Sequence, residues 1–306
     1  MVKINDITIE CPDLSGKTTL FNNLHNKTNY EYNIQDRSEL SMLAYAILYD
    51  RDQAVWRRRL RNKLNNLNHL FVVLLPPLSV AHDRFKNRGD DKHTKSSLTQ
   101  LYKIFYDLIE EFKLYSTFFV VKEPYDEDEL MERVYKKINN SQPEKPELVA
   151  EKVRMNALAS PNKEAYPIVF ETELGHGFMT SITDAFEFES EREYYTKILS
   201  KTLTTLTKEM VGDNSYLTKQ DPIKTRRFIY ADDSCIALFH MMYREGRLNF
   251  YATLRSSDIV NIFQHDYKFL LYLCGECAKS VGIKDYEIPE ECTLTVTINS
   301  AHIIGD

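Results

Sequence analysis

An apolar segment ending at Ile9, then ECPDLSGKT, then the periodic stretch TLFNNLHN constrains this chain more than any other feature. Strand, short loop and helix follow one another directly. Gly16, Lys17 and Thr18 stand at the helix start, and the stretch matches G-x-x-x-x-G-K-[ST] at every fixed position except the first, where Cys11 stands. The pattern works by geometry: successive backbone N–H groups and a helix N-terminus surround an anion, a lysine neutralises phosphate oxygens, and a hydroxyl binds Mg²⁺. The first glycine mainly eases the turn out of the strand, so Cys11 fits provided its backbone stays β-like.

The rest of the N-terminal half repeats the alternation. A second strand is expected at YEYNI, helices through QDRSELSMLAYAILYDRDQAVWRRRLRNKLNNLN, and a strand buried on both faces at HLFVVLLPP. VAHDRF and SLTQLYKIFYDLIEEFKLY read as helices around a charged break, TFFVVKEP as a fourth strand and DEDELMERVYKKINN as a closing helix. Alternating strands and helices imply an α/β domain with a parallel sheet flanked by helices, over residues 1–140. SQPEKPE then shifts abruptly to proline and charge, which places a linker at 141–162. Beyond it YPIVFETE, RRFIYAD, LNFYATLRS and CTLTVTINS read as strands, and ESEREYYTKILSKTLTTLTKEM and HDYKFLLYLCGECAKSVG as helices, a separate α+β domain over 163–306.

Composition narrows the setting. The chain has 306 residues, 43% hydrophobic and 27% charged, enough for two packed cores, and its net charge of -6 argues against a global nucleic-acid footprint. RRRLRNK at 57–63 reads first as a solvated helix face, with phosphate contact as its alternative. No window resembles a membrane span, and MVKINDITIE lacks the features of a signal peptide, so a soluble, cytoplasmic protein is expected. Five cysteines, an odd number, point to reduced thiols.

The phosphate loop resembles that of the thymidylate kinase and deoxynucleoside kinase group, commonly E-G-x-D-x-x-G-K-[ST]-T, against Glu10, Cys11, Asp13, Gly16, Lys17, Thr18 and Thr19 here. A second signature of the group, Asp-Arg followed by Ser and Ala, recurs as Asp36, Arg37, Ser41 and Ala44. A third, DRFKNRG, sets Arg84 and Arg88 four apart beside Gly89, as in the group's arginine-bearing lid. The resemblance implies ATP-dependent phosphoryl transfer with Mg²⁺. Asp13, Ser15, Gly16, Lys17, Thr18 and Thr19 would hold ATP, with Thr18 on the metal, and Asp36 or Asp13 would order Mg²⁺ or a water. Arg37, with Asp36, would hold the acceptor, and Lys17, Arg37, Arg84 and Arg88 would act on the transferring group. Only about twenty residues separate the loop from Asp36, fewer than in most thymidylate kinases.

The run LRSSDIVNIFQHDYKFLLYL resembles the pyrimidine-binding segment of the thymidylate synthase family, closest to its phage deoxycytidylate hydroxymethylase branch. Counting back from Arg255 by the family interval of twenty residues lands on Cys235. DPIKTRRF is similar to the family's cross-dimer arginine element, ESEREYY to its glutamate helix and NSAHII to its sugar-binding element. By resemblance Cys235 is the nucleophile that adds to C6 of a pyrimidine, and Glu191 the catalytic glutamate, with Glu193 beside it as the alternative. Arg226, Arg227, Arg255 and Ser256 would clamp the 5′-phosphate. Asp258 and His302 would contact the nucleotide, with Ile304 where the family has tyrosine. Asp266 would accept from the cytosine amino group, which points to dCMP over dUMP or a dTMP-like ligand. The cysteines of CGEC, at 274 and 277, read as structural burial.

The combined expectation is a deoxynucleotide monophosphate kinase fused to a reduced thymidylate synthase-like domain, homodimeric through the latter. Three alternatives stay open: a bifunctional hydroxymethylase-kinase using methylenetetrahydrofolate, a kinase of a modified base in DNA, and a non-catalytic nucleotide-binding module.

Overall fold

The computed structural model describes residues 2–88, 93–122, 126–138, 146–174, 189–211, 229–231, 235–244, 247–280 and 292–304. The chain divides into two compact units. One comprises residues 3–141 and 158–162; the other comprises residues 142–157 and 163–306 with the first two residues.

In the N-terminal unit β1 (Asp6–Glu10), β2 (Asn33–Asp36), β3 (His69–Leu74) and β4 (Phe118–Val121) form a wholly parallel sheet in the order β2-β1-β3-β4. The helices are α1 (Lys17–Lys27), α2 (Glu39–Leu48), α3 (Ala54–Leu64), α4 (Leu78–Arg88), α5 (Lys95–Phe112) and α6 (Glu127–Ile138). All six residues of β3 are buried, because helices cover both faces and the strand's alternation serves two cores. Leu70, Val72 and Leu74 pack with α1 and α6 through Leu20, Leu24, Leu130 and Val134. Phe71 and Val73 pack on the other face with Leu43 of α2, Leu60 of α3 and Phe105 of α5. From β1 the chain runs outward to β2, then returns to β3 on the opposite side of β1. The carboxyl end of β1 is therefore a topological switch point, where open α/β sheets leave a crevice for ligands.

The C-terminal unit contains α7 (Pro146–Ala159) up to Ala157, then β5 (Glu164–Ala165), β6 (Ile168–Glu173), α8 (Glu189–Val211), β7 (Ile229–Ala231), β8 (Ile236–Arg244), β9 (Arg247–Leu254), β10 (Ser257–Asp258), α9 (Phe263–Ser280), β11 (Cys292–Ile298) and β12 (Ala301–His302). A mixed five-stranded sheet runs β6-β11-β9-β8-β7, and β10, β12 and β5 form a smaller one. Helix α9 buries Phe263, Tyr267, Leu270, Cys274 and Cys277, a three- and four-residue repeat. Phe263 and Tyr267 meet Phe170 of β6 edge-on at 6.4 and 5.6 Å between centroids. Cys274 and Cys277 are wholly buried, and burial pushes both thiols up.

One element differs from the sequence expectation, and another falls where the sequence reading assigned none. The stretch read as a linker at 141–162 holds α7, whose Val149, Val153 and Ala157 recur at helical spacing and are buried. Residues 236–244, IALFHMMYR, form β8, although Ala, Leu and Met favour helix: pairing with β7 on one side and β9 on the other overrides local preference. Among the described residues no helix is long and apolar enough to cross a membrane.

Candidate functional site

The loop from Glu10 to Lys17 leaves β1 at the switch point. Leu14 and Gly16 take positive φ there, 66° and 95°, whereas Cys11 does not. Gly16 is the N-cap of α1 and adopts the left-handed conformation at little expense because it lacks a Cβ. Leu14 does so at about 1–2 kcal/mol, so this turn of the loop is held by its surroundings. Cys11 is 4% exposed and packs with Ile9 and Leu20 beneath the loop, and burial pushes its thiol up to about 12. It therefore serves as a small neutral core residue. The first turn of α1 has no acidic side chain, which leaves its positive end unopposed.

A cavity of about 410 Å³ opens here, lined by Cys11, residues 13–19, Asp36 and Arg37. Two cations converge on it. Lys17 Nζ pairs with an oxygen of Asp36, and Arg37 Nη2 with Oδ1 of Asp13. Arg37 takes φ 76° immediately after β2, which turns its side chain to the cavity from the strand end. Thr18 and Thr19 line the cavity and are exposed at the helix start. Thr18 hydroxyl and Asp36 carboxylate are hard oxygen donors in the cavity lining, a set that suits Mg²⁺, which keeps most of its waters and takes one or two protein ligands.

Four contacts fasten these parts. Oδ2 of Asp13 accepts from the Tyr45 hydroxyl at 2.5 Å and lies 2.9 Å from Nε2 of His93. Burial pushes the Asp13 carboxyl up, but the Tyr45 hydrogen bond, the Arg37 guanidinium and His93 together hold it below the usual carboxylate range. Both Asp13 oxygens are thus engaged, and Asp36 is the more open carboxylate. Ser15 Oγ meets the Tyr102 hydroxyl at 2.7 Å, and Arg84 Nη1 donates to the Leu14 carbonyl at 2.8 Å. Arg84 therefore braces the loop backbone; Arg88 ends α4 with its side chain outside the described residues, as is Gly89.

Glu10, completely buried at the end of β1, accepts from Ser38 N at 2.7 Å, Ser38 Oγ at 2.6 Å, Ser41 N at 3.4 Å and Ser41 Oγ. It acts as a carboxylate cap on α2 and ties that helix, with Arg37 just before it, to the Glu10–Lys17 loop. Burial raises its carboxyl despite these donors. Glu10 stood in the motif without an assigned role, and Tyr45, His93 and Tyr102 were not singled out at all. A charge at the end of an apolar strand was the one local signal for Glu10; His93 and Tyr102 lie far along the chain, and only folding brings them to the loop.

In the C-terminal unit Cys235 is exposed just ahead of β8, beside Arg255 at the end of β9, whose N–H donates to the Cys235 carbonyl at 2.9 Å. The Tyr194 phenol is raised by burial and by Cys235, with which it shares a hydrogen bond. Asp266 is 3% exposed; Oδ1 accepts from Tyr195 at 3.0 Å and Oδ2 from Ser257 at 3.1 Å. Burial pushes its carboxyl up to about 6. Asp258 accepts from Val260 N at 3.1 Å and from Asn261 Nδ2 at 2.7 Å, closing a turn, and pairs in register with His302. Ser256 and Arg255 are exposed. Glu191 lies on α8 one turn before Tyr194 and Tyr195, but its side chain is outside the described residues, and Arg226 and Arg227 lie wholly outside them. The structure thus gathers Cys235, Arg255, Tyr194, Tyr195 and Asp266 around the start of β8.

No family model matches the chain, and no curated protein does. Among solved structures it is similar to thymidylate synthase from phage T4, at 14% identity and TM-score 0.30, over 46% of this chain and 67% of that one. It is also similar to thermostable thymidylate synthase A from Bacillus subtilis, at 16% identity and TM-score 0.22, over 33% of this chain and 35% of that one. Both similarities are remote.

Proposed function

We propose that the N-terminal unit is an ATP-dependent kinase that passes the terminal phosphoryl group to a deoxypyrimidine nucleotide, alongside a thymidylate synthase-like unit that binds a pyrimidine nucleotide. One observation carries the reading: Lys17 and Arg37 converge on a single cavity at the switch point of a parallel sheet, beneath a loop with Gly16 at the head of a helix. The phosphate chain of ATP would lie on the loop N–H groups and the α1 N-terminus. Lys17 would exchange Asp36 for β/γ oxygens, and Arg37 would exchange Asp13 for the acceptor phosphate, as its forked donor suits. Thr18 and Asp36 would hold Mg²⁺, which supplies charge neutralisation on the β and γ oxygens.

The acceptor oxygen attacks the γ-phosphorus, the bond to the β–γ bridging oxygen breaks, and ADP leaves with the electron pair. A monophosphate oxygen is already ionised at neutral pH, so the transfer needs no general base. That agrees with a cavity whose two carboxylates are each paired to a cation.

An ADP-release assay over nucleosides, monophosphates and modified DNA tests the reading. ADP should form with a deoxypyrimidine monophosphate, and Lys17→Ala should lower the rate by about a thousandfold, the scale of losing one pre-placed charge in such a site. Absence of turnover with every acceptor, or full activity in the variant, overturns it.

The cluster around Cys235 favours a second reading, hydroxymethylation of dCMP. Exposure of the thiol next to Arg255 and Tyr194 motivates it. Tritium at C5 of dCMP should then be released in the presence of methylenetetrahydrofolate, and not by Cys235→Ala.

A further inference from the structure

The RRRLRNK stretch lies on α3, and the structure sorts its cations into two sets. Arg57 and Arg61 both reach Glu111 of α5, and Lys63 Nζ lies 2.9 Å from Glu39. Those charges are matched within the fold. Arg58 and Arg59 are exposed with Val55, and the Arg59 guanidinium lies over the Trp56 ring at 5.4 Å. Arg51, ahead of α3, lies over Tyr49 at 5.2 Å. Among the described residues, Arg51, Arg58 and Arg59 have no carboxylate partner.

Further cation–ring pairs lie on α2 and at its ends, starting at the cavity. Arg37, in the cavity wall, lies over the Tyr45 ring at 6.0 Å. Tyr45 stacks on Tyr49 with centroids 6.1 Å apart and planes 12° from parallel. Tyr49 carries Arg51 and is 52% exposed. Helix α3, which packs against α2, adds Trp56, Arg58 and Arg59. Guanidinium groups lie over ring faces at Arg37–Tyr45, Arg51–Tyr49 and Arg59–Trp56. A guanidinium on a ring keeps its charge available, unlike one paired with a carboxylate.

A free mononucleotide offers one base and one phosphate group, and the cavity with Arg37 already accounts for the phosphate. The remaining cation–ring pairs match a ligand that repeats base and phosphate. We infer that a single-stranded polynucleotide docks over Tyr49 and Arg51 onto Trp56, Arg58 and Arg59, with its terminal phosphomonoester at Arg37 as the acceptor. Stacking with interleaved cations is the mode by which strands are held without sequence preference. The identity of the cavity's occupant rests on the kinase reading; the docking face itself does not.

Fluorescence anisotropy with a labelled oligothymidylate over a salt series tests this on the full chain. The Arg51→Ala, Arg58→Ala, Arg59→Ala triple variant should bind at least about tenfold more weakly, with a log–log salt slope smaller by about 2, since each lost single-strand phosphate contact removes about 0.7. Tyr49→Ala should weaken binding by about tenfold and leave the salt slope unchanged, the signature of lost stacking. All these side chains are exposed, and circular dichroism reports that the fold persists. An oligouridylate run in parallel identifies which sugar backbone is the source, and binding of either supports the docking. Affinity for both strands no tighter than for thymidine monophosphate, or wild-type affinity and slope in the triple variant, overturns it. ATP-induced thermal stabilisation is a separate readout: if it is absent while the strand still binds, the kinase reading falls and the docking face stands.

Discussion

Gly16 and Asp266 show how single residues set limits on this protein. At φ 95° Gly16 occupies a region where any Cβ clashes with the following carbonyl. Gly16→Ala should lower stability by about 1–2 kcal/mol and abolish ATP binding, because relieving the strain displaces the N–H groups that face the anion. Urea unfolding and ATP-induced thermal shift measure the two effects. Asp266 is a buried carboxyl raised from its ordinary 3.8 to about 6, so the folded state binds its proton more tightly than the unfolded chain does. Its contribution is fully present below pH 4 and is lost as pH rises through 6, about 3 kcal/mol in all. Asp266→Asn keeps the shape without the charge. It should flatten the stability profile of the C-terminal unit between pH 4 and 7, read by denaturant midpoints across that range.

At the scale of elements, β1 is the hub: it pairs with β2 and β3, ends in the loop that leads to Lys17, and through Glu10 caps α2. Glu10→Gln would set an amide N–H₂ against serine donors, leaving buried groups unpaired at about 1–3 kcal/mol. Because α2 follows Arg37 directly, KM for the acceptor should rise several-fold more than KM for ATP. A purely structural role would move both equally. The β1–β3 pair carries a second titrating contact, Thr8 Oγ1 to His69 Nε2 at 2.6 Å. Burial, with Lys63 nearby, depresses His69 from 6.5 to about 4, so it stays neutral when folded. The stability it confers is present above pH 6.5 and lost as pH falls through 4, about 3 kcal/mol. His69→Gln retains a hydrogen bond without titrating and should remove most of that acid sensitivity from the N-terminal unit.

Over the whole molecule the two units respond to acid in opposite directions at these positions, His69 losing stability where Asp266 gains it. Calorimetry of the full chain should therefore show two transitions, the C-terminal one rising relative to the N-terminal one as pH falls from 7 to 5. Saturating ATP at about a hundredfold over Kd should raise only the N-terminal transition, by about 2.7 kcal/mol, and Lys17→Ala should erase the rise. Homodimer formation belongs to the same scale, since the proposed roles of Arg226 and Arg227 require a second copy. Light scattering that returns a dimer mass supports them, and a monomer mass removes them.

Much of this was legible in the sequence because it depends on local order. Gly16, Lys17 and Thr18 follow an apolar strand within a few residues, HLFVVLLPP can only be a strand covered on both sides, and the spacing of Cys235 from Arg255 becomes adjacency once β8 and β9 pair. The rest depends on long-range packing. Residues 146–159 follow a proline-rich stretch and become helix through a buried stripe, and IALFHMMYR becomes strand through two neighbours. His93 and Tyr102 reach Asp13 and Ser15 from far along the chain. The sequence by itself determined that Gly16, Lys17 and Thr18 stand between a strand and a helix, because that placement follows from residue types at fixed local spacing. Only the tertiary structure decided which cations are matched by carboxylates and which remain open, because pairing is settled by side chains that meet across elements and leaves no trace in local order.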